Sequence, residues 1–338
     1  MRMKKIYLTL LAAAAAVVAC DKSESLNQEN GQKQQEITLN PVNLPATKAP
    51  IATTTFPDDN VIYVSASNNK SKFFEDKTFK KDGAVWKNFV GTTQTPLYWP
   101  LGGAGSFDFL AYSTTLAATA SWGDGNPATD DDVAGKVEIT YPDNYGTPGT
   151  TTASQDDLLY ATTSSASRTS ALPIEFKHAL AWVNFEVNAS IPVNISKIEL
   201  VDVFTEGTFT VDQTANTPQI SWDFTGLTAA DKAILTYGSE TTANAVAGVD
   251  IDGTTNAVST DHEFGDKGIL VPAQPIPNFK ITYDMRDGND LVYVVNSVRG
   301  TWESGKKYTY KLNITFNEIT LAPSVVVYDA VTAMPINL

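Results

Sequence analysis

The feature that most constrains the fold is an alternation of apolar and polar residues with a period of two. It is longest in residues 308–316, where Tyr308, Tyr310 and Leu312 begin an apolar series that alternates with threonine, lysine and asparagine. Successive side chains of a β-strand point to opposite faces, so this segment has one apolar and one polar face as a strand. The pattern predicts an all-β fold in which sheets bury one face against each other.

The same alternation predicts further strands along the chain. Residues 279–285 and 291–295 alternate on either side of Asp287 and Gly288, which is typical of a hairpin. The other predicted strands are 61–66, 106–112, 175–187 and 197–203, and only the N-terminal apolar run and residues 229–235 look helical. Threonine-, serine-, glycine- and aspartate-rich segments at 114–132, 143–154 and 241–261 are predicted to be surface loops.

The length of 338 residues is enough for two domains of ordinary size. Strand character is interrupted at Ile191 and Pro192, and proline is disfavoured inside a sheet. We therefore predict two tandem β-sandwiches, an N-terminal one at 36–190 and a C-terminal one at 191–338.

The first residues predict export. Residues 1–19 are basic and then apolar, which is typical of a signal peptide and too short for a membrane-spanning helix. They end in Val17-Val18-Ala19 before Cys20, which is the single cysteine of the chain and resembles the acceptor cysteine of a bacterial lipoprotein. Lipid attachment at Cys20 is expected; the alternative is a secreted protein with a free cysteine. Residues 20–35 are polar and are interpreted as a tether.

The charge of the chain argues against nucleic acid as a partner. Its formal net charge is −14, and cleavage before Cys20 would remove three basic residues and leave −17. A surface this negative repels phosphate backbones.

A short sequence occurs near both ends of the chain. Residues 36–41 read EITLNP and residues 318–323 read EITLAP. If the strand at 308–316 faces a core, simple continuation would turn Ile319 and Leu321 to the solvent, so the chain must bulge, turn or leave the sheet at Asn317 and Glu318. Residues 318–328 are therefore predicted to form a separate strand.

The apolar residues of this C-terminal strand are separated by even numbers of positions, so they share one parity and lie on one face of the strand. They are Ile319, Leu321, Val325 and Val327. Four such side chains give about 6 to 12 kcal/mol gross if each contributes about 1.5 to 3 kcal/mol on burial. The strand is therefore expected to dock in successive apolar pockets.

Several ordered segments resemble the fimbrillin family, whose members are type V pilus subunits. They are Leu97-Tyr98-Trp99-Pro100, Phe107-Asp108-Phe109-Leu110-Ala111-Tyr112, Asp157-Leu158-Leu159-Tyr160-Ala161, Phe176-Lys177-His178-Ala179-Leu180-Ala181, Ile269-Leu270-Val271-Pro272 and Trp302-Glu303-Ser304-Gly305-Lys306-Lys307-Tyr308-Thr309-Tyr310. They span most of the mature chain and follow a lipoprotein-like leader. The resemblance implies two transthyretin-like β-sandwiches and a lipoprotein precursor at the outer membrane and cell surface.

The resemblance also implies a mode of assembly into a fimbrium. In stalk pilins of this family a protease removes the first strand together with the lipid, and the C-terminal strand of another subunit fills the groove by β-strand addition. Here the removable strand would be 36–44, with Ile37 and Leu39 as its apolar residues, and the donor strand would be 318–328. The implied partners are other fimbrial subunits, and the outer membrane through the lipid on Cys20.

The cleavage point departs from the family pattern. Stalk members are cut after arginine, whereas no arginine lies between Arg2 and Arg168. Lys48 is the processing candidate, and an ordinary loop lysine is the alternative. Without processing the subunit would stay lipid-anchored, as a pilus base or accessory protein.

No motif predicts an enzyme or a cofactor. The two histidines, His178 and His262, lie far apart, and His178 shares its parity with Leu180 and Trp182, which favours a core imidazole. A zinc site or nucleophilic triad is not indicated. The aspartates at 130–132 and 156–157 are interpreted as solvated loops, Gly102–Gly105 as a turn, and Trp99, Trp182 and Trp302 as structural. The alternative function is a non-polymerising surface lipoprotein that binds a glycan or host ligand through sandwich loops.

Overall fold

The computed structural model describes residues 34–42, 56, 58–68, 71–101, 105–114, 118–122, 136–141, 157–165, 168, 171–213, 217–237, 249–254, 256–263, 268–295, 299–316, 318–327 and 336–337. The strands are β1 Leu39–Val42, β2 Ile62–Asn68, β3 Ser71–Asp82, β4 Val85–Val90, β5 Thr93–Gln94, β6 Phe107–Ser113, β7 Thr119–Trp122, β8 Lys136–Tyr141, β9 Leu159–Ser165, β10 Leu172–Glu175, β11 Lys177–His178, β12 Leu180–Ala189, β13 Val193–Phe204, β14 Gly207–Asp212, β15 Gln219–Asp223, β16 Lys232–Tyr237, β17 Val249–Ile251, β18 Asp261–Glu263, β19 Ile269–Pro272, β20 Asn278–Asp284, β21 Asp290–Val295, β22 Lys306–Ile314, β23 Ile319–Val327 and β24 Ile336–Asn337. The predicted all-β class is confirmed. Within these residues no helix has the length and apolar character needed to cross a membrane.

Nine strands form the N-terminal sheet. Its order is β10-β1-β4-β3-β2-β6-β9-β11, with β5 paired to β4. One buried cluster takes side chains from β1, β3, β6 and β9, including Leu39, Phe79, Phe109 and Leu159. Because strands far apart in the order share this cluster, the sheet curves around its own core.

Two sheets pack face to face in the C-terminal part of the chain. The β22 sheet has the order β18-β12-β22-β23-β24 with β19 on β12, and the β20 sheet has the order β16-β13-β20-β21 with β17 on β13. Phe185 and Tyr310 from the first sheet meet Phe279 from the second, with ring centroids 5.5 and 4.9 Å apart. Edge-on aromatic contacts of this kind stabilise a core beyond the area that they bury.

A four-stranded connecting sheet, β15-β14-β8-β7, lies between these parts. Its Ile139 and Phe209 share a buried cluster with Tyr112 of the N-terminal sheet and Trp182 of the β22 sheet. Strand β12 pairs in parallel with β22, so residues on both sides of the predicted boundary at 190 belong to one sheet. The two domain ranges stay a prediction.

The predicted helix at 229–235 is wrong. Thr228 and Asp231 form a capping box in which the Asp231 carboxylate accepts a hydrogen bond from Thr228 N at 2.6 Å, and it closes one 3-10 turn at Ala229–Asp231. The chain then enters β16, which pairs with β13. The β-branched and aromatic residues at 234–237 favour a strand once a partner is present.

The predicted loops also contain short strands. Strand β7 lies inside 114–132, and β17 lies inside 241–261, where Val249 and Ile251 are buried against β13. An alternation of three residues is too short to be recognised among loop residues, but it is enough to cover a sheet edge. The segment 143–154 lies outside the described residues.

Gly268 is placed against Trp182. A Cβ at Gly268 would lie 1.5 Å from Nε1 and 2.1 Å from Cδ1 of the indole. We expect Gly268→Ala to lower the free energy of unfolding by about 3 kcal/mol, the upper end of the cost of overpacking a core. The measurement is urea unfolding followed by tryptophan fluorescence.

Gly83→Ala is the matched control. Gly83 has φ +65° and open space around its Cβ direction, so only the left-handed backbone costs free energy, about 1 kcal/mol. Equal losses for the two variants would contradict the close approach at Trp182.

Candidate strand-exchange site

The segment around β1 is inserted between two neighbours in the N-terminal sheet. β1 pairs in parallel with β10 over four residues and in antiparallel with β4 at Leu39 and Trp86 only. Just before β1, Ile37 N donates to Leu97 O at 2.7 Å, and Trp99 N donates to Gln35 O at 2.9 Å. The segment is therefore held on both sides by backbone hydrogen bonds.

The apolar side chains of this segment are fully buried. Ile37 and Leu39 are each 0% exposed and belong to the core cluster of the N-terminal sheet. Removing the segment would leave an apolar slot between β10 on one side and residues 97–99 with Trp86 on the other. We call this slot the first-strand groove.

Among the described residues, β1 has a second neighbour only at its start, which accommodates Pro41. Pro41 pairs with Ile174 of β10, and on the other side β4 reaches only Leu39. Proline lacks a backbone N–H, and it is accommodated where one edge of a strand is open. EITLNP and EITLAP both carry proline at this sixth position.

The C-terminal segment begins with a tight turn after β22. Thr315 N donates to Glu318 O at 2.8 Å, and Glu318 N donates to the Thr315 hydroxyl at 3.1 Å. Phe316 lies in this turn and is 79% exposed, whereas Ile314 before it is buried. The predicted break at 317–318 is confirmed, and β23 is the predicted separate strand.

β23 belongs to the β22 sheet of the same chain. Its pairing with β22 runs from Ile314–Ile319 to Lys306–Val327, and on its other side the described part of the chain supplies the two residues of β24. Ile319, Leu321 and Val325 are half-buried against the core between the β22 and β20 sheets. The side chain of Val327 lies outside the described residues.

The two similar segments thus differ in burial. Ile37 and Leu39 are completely enclosed, whereas Ile319 and Leu321 occupy corresponding places in the repeated sequence but remain half-exposed. A β23 segment seated in the first-strand groove would bury more apolar surface than it does on its own sheet.

Two buried tyrosines anchor the strand on which β23 rests. The Tyr308 hydroxyl accepts from Glu303 N at 2.9 Å and donates to Thr301 O, and Trp302 Nε1 donates to the Tyr310 hydroxyl at 2.9 Å. Burial raises the pKa of Tyr308 to about 12, and burial also raises the pKa of Tyr310.

These tyrosines predict a loss of stability in alkali. An unfolded tyrosine loses its proton at about pH 10, whereas folded Tyr308 keeps it until the pKa of about 12. Between these values the unfolded state binds fewer protons, so the free energy of unfolding falls as pH rises. Urea unfolding at a series of pH values measures the slope, and Tyr308→Phe is expected to make it shallower. An unchanged slope would contradict the assignment.

His178 is a buried structural residue, as predicted. The single strand predicted at 175–187 is wrong, because the chain leaves the N-terminal sheet after β11 and enters the β22 sheet as β12. The Nδ1 of His178 lies 2.5 Å from Asp157 Oδ2, and both side chains are almost completely buried. The prediction of a solvated loop is therefore wrong for Asp157, because its carboxylate is paired with the imidazole in the protein interior. His262 lies elsewhere, on β18, where Nε2 contacts Ala257 O and the Thr260 hydroxyl. The structure does not bring the two imidazoles into one site.

The remaining candidate groups are also accounted for where the structure describes them. Trp99, Trp182 and Trp302 are buried, which confirms that they are structural. Within the described ranges, no cluster of three His, Cys, Asp or Glu side chains is arranged to hold a metal ion. Cys20, Lys48 and the aspartates at 130–132 lie outside the described residues.

One cavity of about 250 Å³ opens between the start of β16 and the segment before β20. Its wall includes Phe204, Lys232 and Gln274. Lys232 Nζ lies 4.9 Å from the centre of the Phe204 ring, and the Gln274 amide bonds to both backbone groups of Phe204. The polar groups of Gln274 and the ring of Phe204 are therefore engaged within the protein.

Solved structures share this fold at low sequence identity. A fimbrial protein from Bacteroides vulgatus superposes with a TM-score of 0.56 at 13% identity, covering 87% of this chain and 99% of its own. A candidate cell adhesion protein from Bacteroides ovatus gives 0.50 at 15% identity, covering 86% of this chain and 96% of its own. At these identities the likeness concerns the fold alone.

Sequence comparison is more specific. No curated sequence matches the chain at a significant level. The profile of a family described as fimbrillin-like matches residues 47–327, which is most of the chain. The match includes β2 through β23, and hence the walls of the first-strand groove and the C-terminal strand. By this match the chain belongs to the fimbrillin-like family.

Proposed function

We propose that the protein is a structural subunit of a cell-surface fimbria that is exported as a lipoprotein, assembles by β-strand exchange and contributes to adhesion. The observation that carries the proposal is the pair of similar segments in different environments. In one, the side chains of Ile37 and Leu39 are completely buried in a groove of the N-terminal sheet. The other, with Ile319 and Leu321, lies half-buried near the edge of the β22 sheet.

Exchange requires that the first strand leave its groove. Its two side chains contribute about 3 to 6 kcal/mol by burial, together with backbone hydrogen bonds to both neighbours. This free energy keeps the first-strand groove of an intact chain closed to another donor strand. Cleavage after Lys48 would cut the covalent link between β1 and the sheet, so that β1 dissociates and is replaced.

The replacing strand comes from another copy. Residues 318–323 would enter the groove in the direction of residues 36–41, with Ile319 in place of Ile37, Leu321 in place of Leu39 and Pro323 in place of Pro41. Because the groove and the donor strand are different surfaces of one subunit, each contact is head-to-tail and the product is an open filament.

The beginning of the chain supplies the membrane stage. A lipid on Cys20 and the polar tether of residues 20–35 would hold the precursor at the outer membrane until cleavage after Lys48 releases it. A subunit that is not cleaved would remain anchored as a base or accessory protein.

The test is limited proteolysis of the purified soluble chain with a lysine-specific protease, followed by gel electrophoresis without boiling. We expect a mature N-terminus at Ala49 by mass and boiling-sensitive multimers, and neither from Lys48→Gln. A persistent monomer after complete cleavage at Lys48 would contradict assembly by exchange. Persistent monomer together with binding on a glycan array would favour the non-polymerising surface lipoprotein.

A further inference from the structure

Strand β21 ends the β20 sheet with an exposed apolar edge. It pairs with β20 on one side, and no strand in the described part of the chain pairs with its other side. Leu291, Val292, Tyr293 and Val294 are 42%, 53%, 37% and 46% exposed. Four consecutive large apolar side chains are therefore partly exposed on a strand whose outer edge has no partner strand among the described residues.

Both faces of β21 contribute to this surface. Leu291 and Tyr293 lie next to Tyr283 and Ile281 on the core side, and Val292 lies next to Thr282 on the outer side. Natural edge strands are usually protected by charged side chains, proline or a bulge. Residues 291–295 have none of these, and their register with β20 is continuous.

We propose that this edge binds β21 of a second copy of the chain in antiparallel orientation about a twofold axis, which joins two β20 sheets into one continuous sheet. The proposal is independent of strand exchange, since β21 and β23 belong to different sheets. It predicts a closed lateral contact between subunits, in addition to the open head-to-tail contact proposed above.

Symmetry fixes the register of this pairing. A twofold axis perpendicular to the sheet keeps each side chain on its own face. The axis must therefore pass between one residue and the same residue of the second copy. With Tyr293 on the axis, Leu291 lies opposite Val295 and Val292 lies opposite Val294. The cross-strand pairs within residues 291–295 are then all apolar or aromatic, which is the stabilising combination, whereas an axis at Val292 would place Asp290 opposite Val294.

Charge favours a second copy of this chain on this strip rather than elsewhere on its surface. The chain carries a formal net charge of −14, so two copies repel each other over most approaches. Residues 291–295 carry no charged side chain, so contact between two copies of this strip brings no like charges directly together. Because salt screens repulsion between exposed charges, the dimer is expected to strengthen as ionic strength rises.

The test uses disulfide trapping in the mature chain with Cys20→Ser, which contains no other cysteine. Tyr293→Cys places two thiols on the axis, where paired Cα atoms are about 5 Å apart and compatible with a disulfide. We expect a disulfide-linked dimer under mild oxidation. Val90→Cys is the control, since Val90 is 66% exposed and lies in the N-terminal sheet.

A second variant tests the association without a covalent bond. Val292→Lys with Val294→Lys puts four positive charges across the twofold contact. We expect sedimentation to show a dissociation constant raised at least a hundredfold, with an unchanged circular dichroism spectrum. Equal cross-linking of Tyr293→Cys and Val90→Cys would overturn the proposal. A wild-type chain that stays monomeric at high salt, as the lysine variant does, would also overturn it.

Discussion

A chain that is cleaved after Lys48 and freed of its first strand is expected to lose most of the stability of its N-terminal sheet, and to regain it when a peptide with the sequence of residues 318–327 binds. Ile37 and Leu39 are 0% exposed. Deleting a buried aliphatic side chain costs about 2 to 5 kcal/mol, so losing both costs about 4 to 10 kcal/mol. That is comparable with the net stability of about 5 to 15 kcal/mol of a whole domain.

The measurement is urea unfolding of the cleaved chain, monitored by tryptophan fluorescence, with and without the peptide. Trp86 and Trp99 lie at the groove and are buried, so they report on its state. The control peptide carries Ile319→Asp and Leu321→Asp, which keeps the length and the backbone. Equal stabilisation by both peptides would show that the groove does not select apolar side chains, and an unchanged midpoint after strand removal would show that β1 is not part of the core.

Replacing Ile319 and Leu321 by aspartate is expected to reduce assembly of the cleaved chain more than a hundredfold. Burial of two such side chains in a neighbour's groove contributes about 3 to 6 kcal/mol, and each 1.4 kcal/mol is about a tenfold change in the binding constant. Unpaired carboxylates in an apolar slot add a further cost. Deleting 318–338 is expected to abolish assembly altogether while leaving the N-terminal sheet folded.

Thr320→Asp is the matched control for these variants. Thr320 lies between the two apolar residues and is exposed on its own sheet. It corresponds to Thr38, which lies on the opposite face of the strand from Ile37 and Leu39. Its side chain would therefore not enter the apolar groove, and its substitution should leave assembly within a few-fold of wild type. Polymer yield is measured by sedimentation after cleavage, with circular dichroism to verify the fold. Undiminished polymer from the double aspartate variant or the truncated chain would contradict the donor role of β23.

Local patterns in the sequence predict the regular strands well. The hairpin at 279–295 is β20 and β21, and the long alternation at 308–316 is β22. Parity predicts a break after residue 316, because continued alternation would have turned Ile319 to the solvent, but it does not predict that the break is a tight turn. These features depend on residues close together in the chain, where period and turn chemistry decide the conformation.

Features that depend on pairing between strands far apart in the chain cannot be predicted from local sequence patterns. β1 pairs in parallel with β10, which lies far along the chain, and no local signal indicates that partner. The helix predicted at 229–235 is wrong for a related reason, since β13 supplies a strand partner for residues 232–237. The intrinsic propensity of a segment only weakly determines its secondary structure when pairing with another strand competes with it.

The candidate site is predicted in part. The repeat of EITLNP and EITLAP identifies both segments, but sequence alone does not show that the apolar side chains of one are fully buried and those of the other half-buried. That difference depends on how many neighbours each strand has: β1 lies between β10 and β4, whereas β23 lies near the end of its sheet.

The central claim is that residues 318–323 of one subunit take the place of residues 36–41 in the next, and a register-specific cross-link tests it most directly. Asn40 pairs with Pro173, and the corresponding donor residue is Ala322; all three are exposed. Chains with Cys20→Ser and either Ala322→Cys or Pro173→Cys are cleaved after Lys48, mixed and oxidised. Paired Cα atoms fall within the roughly 4.4 to 6.8 Å that a disulfide spans, whereas Thr320→Cys would lie beyond it.

Strand exchange predicts a disulfide-linked dimer of the Ala322→Cys and Pro173→Cys chains after cleavage. It predicts none before cleavage, and none when Thr320→Cys replaces Ala322→Cys. Multimers that form without this cross-link, or a cross-link that forms equally in uncleaved chains, would contradict the account.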